Sequence, residues 1–202
     1  RTPLAALATQ AQVAARARDE GERHHALEQL AASTRRAARL VDQLLTLARL
    51  DPENAGTTET VSLDRLAQDV CAAHGGAALA KDVELALEAE PATVAGNGDM
   101  LRILLRNLVD NGIRYTPAGG RVTVIVKPAQ LAVCDTGPGI PAEERQRVFD
   151  RFRRLAGQET EGSGLGLSIV QRIAERHGAR LRLEDGDGGC GLRVVVEFPA
   201  AA

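Results

Sequence analysis

Four clusters in this 202-residue chain combine residue types and spacing suited to chemistry. Asn107 and Asn111 stand four apart around Asp110, a separation that puts both amides on one face of a helix. Helix interiors use Asn sparingly because its side chain competes for backbone hydrogen bonds, so two on one face suggest a surface that binds. Amide oxygens suit Mg2+, which takes hard oxygen ligands and shares its shell with phosphate and water. Asp135-Thr136-Gly137-Pro138-Gly139-Ile140 couples a carboxylate to spaced glycines that let backbone approach a flat or charged ligand. An ionised carboxylate only accepts hydrogen bonds, which suits an exocyclic amine such as that of adenine. Gly162-Ser163-Gly164-Leu165-Gly166-Leu167 opens a helical pattern, and small residues at a helix N-terminus present N–H groups to an anion, typically phosphate. Val148-Phe149-Asp150-Arg151-Phe152-Arg153-Arg154 sets two phenylalanines three apart in a polar stretch. Such a segment docks intermittently on an apolar surface, and its arginines can reach phosphates.

Taken singly, these clusters have structural explanations too: a solvated helix face, a tight turn capping a strand, a short basic helix. The glycine run is not a dinucleotide fingerprint. The third glycine of that motif would fall on Leu167, and polar Gln158-Glu159-Thr160-Glu161 precedes the run where a strand belongs.

The elements that must position these clusters divide the chain in two. Residues 1–50 are rich in alanine, leucine and arginine, a helix-forming composition. Leu27, Leu30, Thr34, Ala37, Val41, Leu44 and Ala48 step alternately by three and four, a heptad seam. Leu4, Leu7, Ala11 and Ala14 begin a similar seam, and Asp19-Glu20-Gly21-Glu22 reads as the turn between two helices. A lone hairpin cannot bury both faces, so a second copy closing a dimeric four-helix bundle is the expected partner. Residues 51–58 form a breaker-rich linker. Beyond it, helices are expected over Leu63–Leu79 (Ser62 as N-cap), Asp99–Tyr115 and Leu165–His177, the last ended by Gly178. Strands are expected at Val83–Leu87, Val122–Val126, Leu131–Cys134, Ala179–Glu184 and Leu192–Phe198. Paired strands and separate helices predict an α/β sandwich with a mixed sheet.

Bulk properties exclude several classes. Four aromatics without Trp and a net charge of -2 leave neither a base-stacking platform nor a basic footprint, so no nucleic-acid partner is expected. Cys71, Cys134 and Cys190 are too few and scattered for a disulfide framework. No uncharged apolar run approaches the roughly 20 residues that cross a bilayer. His24-His25 and Cys71 with His74 lack a second pair at metal-ligand spacing, and His177, in a last helical turn, would suit the helix dipole as a cation. Of 20 glycines only Gly21 precedes residue 56, so two kinds of structure share the chain.

In order and spacing, Asn107…Asn111, Asp135-x-Gly137-x-Gly139, Phe149…Phe152 and Gly162-x-Gly164-x-Gly166 closely resemble the N, G1, F and G2 boxes of bacterial sensor histidine kinases. These belong to a wider group that includes gyrase-type and chaperone-type ATPases. The opening Arg1-Thr2-Pro3-Leu4 resembles the tail of the family's H-box, whose phosphoacceptor His would stand three positions before Arg1. The chain also starts without Met, and a fragment cut just after that residue is expected. The opening and the Gly162–Ala174 run look most like the branch with QseC-type and PmrB-type sensors.

The resemblance implies a histidine-phosphotransfer hairpin over residues 1–50, a linker over 51–58 and an ATP-binding domain over 59–202. It implies the cofactors ATP and Mg2+, with Asn107 and Asn111 as metal ligands and Asn107 at the catalytic centre. Asp110, Arg114, Tyr115, Asp135, Gly137, Gly139 and Ile140 would contact nucleotide. Phe149, Arg151, Phe152 and Arg154 would belong to an ATP lid, and Gly162, Ser163, Gly164, Leu165, Gly166 and Leu167 to a phosphate cradle. Thr2 would support dephosphorylation of the partner. The implied partners are a second copy and the receiver domain of a response regulator, and the implied setting is the cytoplasmic portion of an inner-membrane protein. The related ATPases carry a general-base Glu where this chain has Asn107, and an amide cannot take that proton. Phosphoryl transfer to a delivered nucleophile is therefore expected. A gyrase-like ATPase and a silent nucleotide-binding dimerisation module remain the alternatives. Two positions depart from the family pattern: Gly112 replaces a usual Ala, costing about 1 kcal/mol of helix propensity, and Arg153 replaces a common aromatic.

Overall fold

A computed structural model describes residues 9, 11–17, 19–49, 58–150, 152–153, 163–186 and 189–199. Thr2, Arg151, Arg154 and Gly162 lie outside them, as do Leu4 and Leu7 of the first seam. The chain forms two compact units, Arg1–Asp51 and Pro52–Ala202.

In the first unit a helical stretch over 11–15 precedes helix α1, Glu20–Arg49. The expected turn at 19–22 is displaced. Asp19 Oδ1 accepts from the Glu22 N–H at 2.8 Å, an N-cap that starts the helix at Glu20 and puts Gly21 inside its first turn. Glu20 and Glu22 favour that end through the helix dipole. Leu27 and Val41 of the predicted seam are about half exposed within the single chain, at 49% and 53%.

The second unit runs β1 (Glu59–Ser62), α2 (Leu63–Ala80), β2 (Glu84–Ala89), β3 (Thr93–Gly96) and α3 (Gly98–Tyr115). It continues through β4 (Arg121–Lys127), β5 (Gln130–Asp135), 3₁₀ turns at Ala142–Glu144 and Arg147–Phe149, α4 (Gly166–Arg176), β6 (Arg180–Asp185) and β7 (Leu192–Glu197). Five strands form one sheet in the order β2-β4-β5-β7-β6. β2 and β4 are parallel and the remaining neighbours antiparallel, so the sheet is mixed. Val122, Val124 and Val126 alternate into the core from β4, aligned with Asp135, Val133 and Leu131 of β5. Against them lie Leu101, Leu104, Leu105, Leu108 and Val109 of α3 and Ile169, Val170 and Ile173 of α4, all buried.

β1 and β3 form a separate two-stranded ribbon that the apolar alternation of such short segments did not announce. Ser62 occupies the N-cap position of α2, but its hydroxyl donates to Asp64 Oδ1 at 2.6 Å instead of accepting from a helix N–H. Asn97 does cap α3, accepting from the Met100 N–H at 3.0 Å. Gly112 packs tightly: a Cβ there would come 3.0 Å from Val122 Cγ1, so an Ala would require the valine to give by a few tenths of an ångström. His177 also departs from expectation. Its Nε2 accepts from the Asn97 N–H at 3.1 Å and its Nδ1 faces the Ile173 carbonyl at 2.8 Å. Those are the roles of neutral imidazole, with the proton on Nδ1.

Candidate nucleotide site

α3 presents its two asparagines because the other side of the helix is taken up by leucines. Asn107 is buried and its Nδ2 donates to the Ile103 carbonyl at 2.8 Å. Asn111, one turn on, is half-buried. Facing both is the start of α4: a Cβ on Gly166 would lie 3.2 Å from Asn111 Nδ2, 3.3 Å from Asn111 Oδ1 and 3.4 Å from Asn107 Oδ1. The glycine run thus brings a helix N-terminus against the amide pair, 55 residues apart for Asn111 and Gly166 in sequence. The N-cap of α4, Leu165, makes no side-chain cap bond, and the first-turn N–H groups of a helix have no intrahelical acceptor.

Gly164, at φ +70°, sits where a Cβ would come 2.7 Å from the Arg153 carbonyl oxygen. The Gly164 carbonyl accepts from the Phe152 N–H at 3.0 Å, which ties the phenylalanine segment to the foot of α4. Ser163 Oγ accepts from the Leu165 N–H at 3.2 Å. Leu165 itself is fully buried, so its side chain belongs to the core and not to a ligand surface, while half-buried Leu167 lies in the first turn of α4. Phe149 is half-buried and Phe152 is exposed at φ +63°.

Asp135 ends β5 on the face that the helices cover. Its Oδ1 accepts from the N–H groups of Gly137 at 2.9 Å and Leu192 at 3.2 Å. Burial pushes its carboxyl above the ordinary range, and the two N–H bonds only partly oppose this. Gly137 must lack a side chain, since a Cβ would stand 2.9 Å from both Asp135 Oδ1 and the Tyr115 carbonyl oxygen. Gly139, at φ +70°, presses on the Gly191 carbonyl, where a Cβ would come within 2.7 Å. Half-buried Ile140 offers its carbonyl to Arg145 Nε at 3.0 Å. Tyr115 and Arg114 close α3 beside this turn.

Asp110, expected to contact nucleotide, has its Oδ1 3.1 Å from His74 Nε2 on α2, so its carboxylate joins two helices. His74 Nδ1 meets the Val70 carbonyl at 2.7 Å, and the hydrogen bond to Asp110 raises the imidazole's pKa against the opposing effect of burial. The sequence marks a glycine-rich turn between β6 and β7 without assigning it a part in the site, where the structure packs it on Asp135. A Cβ on Gly191 would come 1.8 Å from the Asp135 carbonyl oxygen, and one on Gly186 3.1 Å from it. The signal was present: Gly186-Asp187-Gly188-Gly189-Cys190-Gly191 carries more glycine than a hairpin turn requires.

Comparison with known proteins gives this geometry a family. Residues 96–202 match the model of the histidine kinase-, DNA gyrase B- and HSP90-like ATPases, and residues 1–53 match that of the His Kinase A (phospho-acceptor) domain. The cytoplasmic segment of the histidine kinase QseC superposes with a TM-score of 0.60 at 31% identity, covering 82% of this chain and 94% of that one. The chain belongs to the sensor histidine kinases. Among relatives of this kinase family, the sensor protein kinase PmrB of Pseudomonas aeruginosa is 44% identical over 205 residues, 98% of this chain and 43% of PmrB. The chain therefore spans less than half the length of that curated relative. Full-length ShkA, solved in complex with AMPPNP, shares 25% identity at a TM-score of 0.72, over 100% of this chain and 44% of that one. As in the expected branch, both PmrB and QseC stand among the similar proteins. Among the described residues no helix is long and apolar enough to cross a membrane.

Proposed function

We propose that residues 59–202 bind Mg-ATP between the α3 amide face, the Asp135–Ile140 turn and the N-terminus of α4. The γ-phosphoryl then passes to the phosphoacceptor histidine expected three positions before Arg1, and on to an Asp of a response-regulator receiver. The observation that carries the reading is the close approach of Gly166 to the amides of Asn107 and Asn111, both within 3.4 Å of where a Cβ would stand. It puts hard oxygen donors and an anion-binding helix end on one small surface.

The donor set fits Mg2+. No cluster of His, Cys, Asp and Glu among the described residues could hold a metal, whereas the neutral amide oxygens of Asn107 and Asn111 suit an ion that shares its shell with phosphate and water. Bound Mg2+ supplies charge neutralisation on the phosphate oxygens. Asp135, with Oδ1 fixed by two backbone donors, holds Oδ2 for an adenine amine. Tyr115 packs along the base, and Gly137 and Gly139 admit it. The first turn of α4 receives the phosphates, and the Phe149–Ser163 segment covers them with Arg151 and Arg154. Asn107 cannot accept a proton from water, so catalysis rests on positioning and charge neutralisation toward a delivered nucleophile.

The domain scheme of a helical hairpin over 1–50, a linker over 51–58 and an ATP-binding domain over 59–202 is supported by the division at Asp51 and Pro52. The half-exposed Leu27 and Val41 support a homodimer through the helical unit. By analogy with its sensor relatives, the chain is read as the cytoplasmic portion of a membrane protein. In the full-length protein, γ-labelled ATP with Mg2+ is expected to leave acid-labile label, abolished by Asn111→Asp. Lack of label on the unmutated protein overturns the kinase reading, and steady-state hydrolysis in its place favours an ATPase.

A further inference from the structure

We propose that Lys81, in the turn between α2 and β2, is a positioning residue for the nucleotide site, clamping the end of the helix that carries Arg114 and Tyr115. The inference rests on the nucleotide reading above. A helix leaves its last four carbonyls without intrahelical partners. At α3 two of these, on Ile113 and Arg114, accept from Lys81 Nζ, the first at 2.8 Å. A cation suits that end of the helix dipole. Here it arrives from another element, more than thirty residues upstream. The ammonium is spent on neutral carbonyls, and burial together with the Arg114 charge lowers its pKa.

The same turn grips the chain again just beyond α3. Asp82 adopts φ +56°, and its carbonyl accepts from the Gly119 N–H at 2.6 Å. Lys81 and Asp82 therefore hold both the last turn of α3 and the Thr116–Gly120 loop. Those two pieces form a wall of the Asp135 turn. The Tyr115 carbonyl oxygen would lie 2.9 Å from a Cβ on Gly137, and Thr136 Oγ1 would lie 2.8 Å from one on Gly120. Thr136 Oγ1 also accepts from the Arg121 N–H at 2.9 Å. In packing this close, releasing the carbonyls of Ile113 and Arg114 shifts Tyr115 and the Asp135 carboxylate together, on the adenine side. The amide pair at Asn107 and Asn111 sits one to two turns back along α3 and keeps its own contacts.

The test titrates adenosine, ADP and Mg-ADP into this chain by calorimetry. Lys81→Met keeps the aliphatic stem and removes the donors. It is expected to weaken adenosine and ADP alike by about tenfold, to leave the gain from Mg2+ unchanged, and to be restored by Lys81→Arg. Lys81→Gln, which can still donate to one carbonyl, replaces Lys81→Met where the latter does not fold and should show a smaller loss of the same kind. A folded Lys81→Met chain of lower melting temperature and unchanged adenosine affinity makes Lys81 structural only and overturns the proposal. So does failure of Lys81→Arg to restore binding, or failure of both Lys81→Met and Lys81→Gln to fold. If the unmutated chain binds none of the three ligands, the nucleotide reading falls and this inference with it. If it binds them and Lys81→Met binds as well, the inference alone falls.

Discussion

Gly166 and Gly191 are both glycines, yet their substitution should fail in opposite ways. At Gly166 the nearest atoms a methyl group would meet are the ends of the Asn107 and Asn111 side chains, at 3.2–3.4 Å. Those amides can give way by a few tenths of an ångström, which preserves the fold and spoils their alignment. Gly166→Ala is thus expected to weaken Mg-nucleotide binding by about tenfold, roughly 1.4 kcal/mol, with a melting temperature within a few degrees of the unmutated chain. Calorimetric titration beside a thermal melt checks both halves, and an unchanged affinity would remove the amide pair from the site. At Gly191 the methyl group would enter the Asp135 carbonyl at 1.8 Å, with the backbone at φ +83°. The left-handed conformation alone costs a side chain about 1–2 kcal/mol, and the overlap requires backbone movement as well. Gly191→Ala should lose at least about 3 kcal/mol of stability, seen as a fall of roughly 6–12 °C in Tm. A melt that hardly moves would show that the β6–β7 connection can swing clear of Asp135.

At the scale of elements, the helices and long strands were legible because their signals are local. The leucines of α3, the Gly178 stop after α4 at φ +61° and the alternation of β4 are written into consecutive residues. The β1–β3 ribbon was not, since four-residue strands owe their pairing to a partner about 35 positions away. The site divides in the same way. Its spacing motifs named Asn107, Asn111, Asp135 and the glycines, but motif spacing carries no information on which way a neighbouring residue turns. Asp110 shows this. It sits one residue from Asn111, yet the helical rotation aims it at His74 of α2.

That pair has a pH signature. The folded state raises the His74 pKa, chiefly through the hydrogen bond to Asp110. A raised folded value means the pair's contribution is complete below the unfolded imidazole value of 6.5 and lost as pH rises through the folded one. Because Asp110 is 46% exposed, solvent screening limits the effect to about 1 kcal/mol or less. Asp110→Asn should therefore destabilise the chain more at a pH well below 6.5 than at one well above the folded value. Urea unfolding of both proteins at the two pH values measures the difference, and an equal or inverted loss would mean the pair does not titrate as described.

At the scale of the molecule, the uneven glycines separate two kinds of task. The first unit must expose an apolar seam, and the second must fold backbone tightly around a ligand. A seam with Leu27 at 49% and Val41 at 53% exposure is costly in water unless something covers it. The proposed second copy would cover it symmetrically with the same seam, residue i meeting residue j and the reverse. Burying a Leu or Val side chain contributes about 1.5–3 kcal/mol, and a carboxylate in its place would be desolvated at the interface. Leu27→Asp with Val41→Asp should therefore weaken self-association by at least a hundredfold, about 2.8 kcal/mol. Sedimentation is expected to show the unmutated 21.4 kDa chain as a dimer and the doubly substituted chain as a monomer at the same concentration. Nucleotide affinity should stay within about twofold, because both substitutions lie in the Arg1–Asp51 unit and every residue named in the nucleotide site lies in Pro52–Ala202. A substituted chain that still dimerises would move the interface away from this seam, and one that becomes monomeric and loses nucleotide binding would mean that the second unit depends on the dimer for its site.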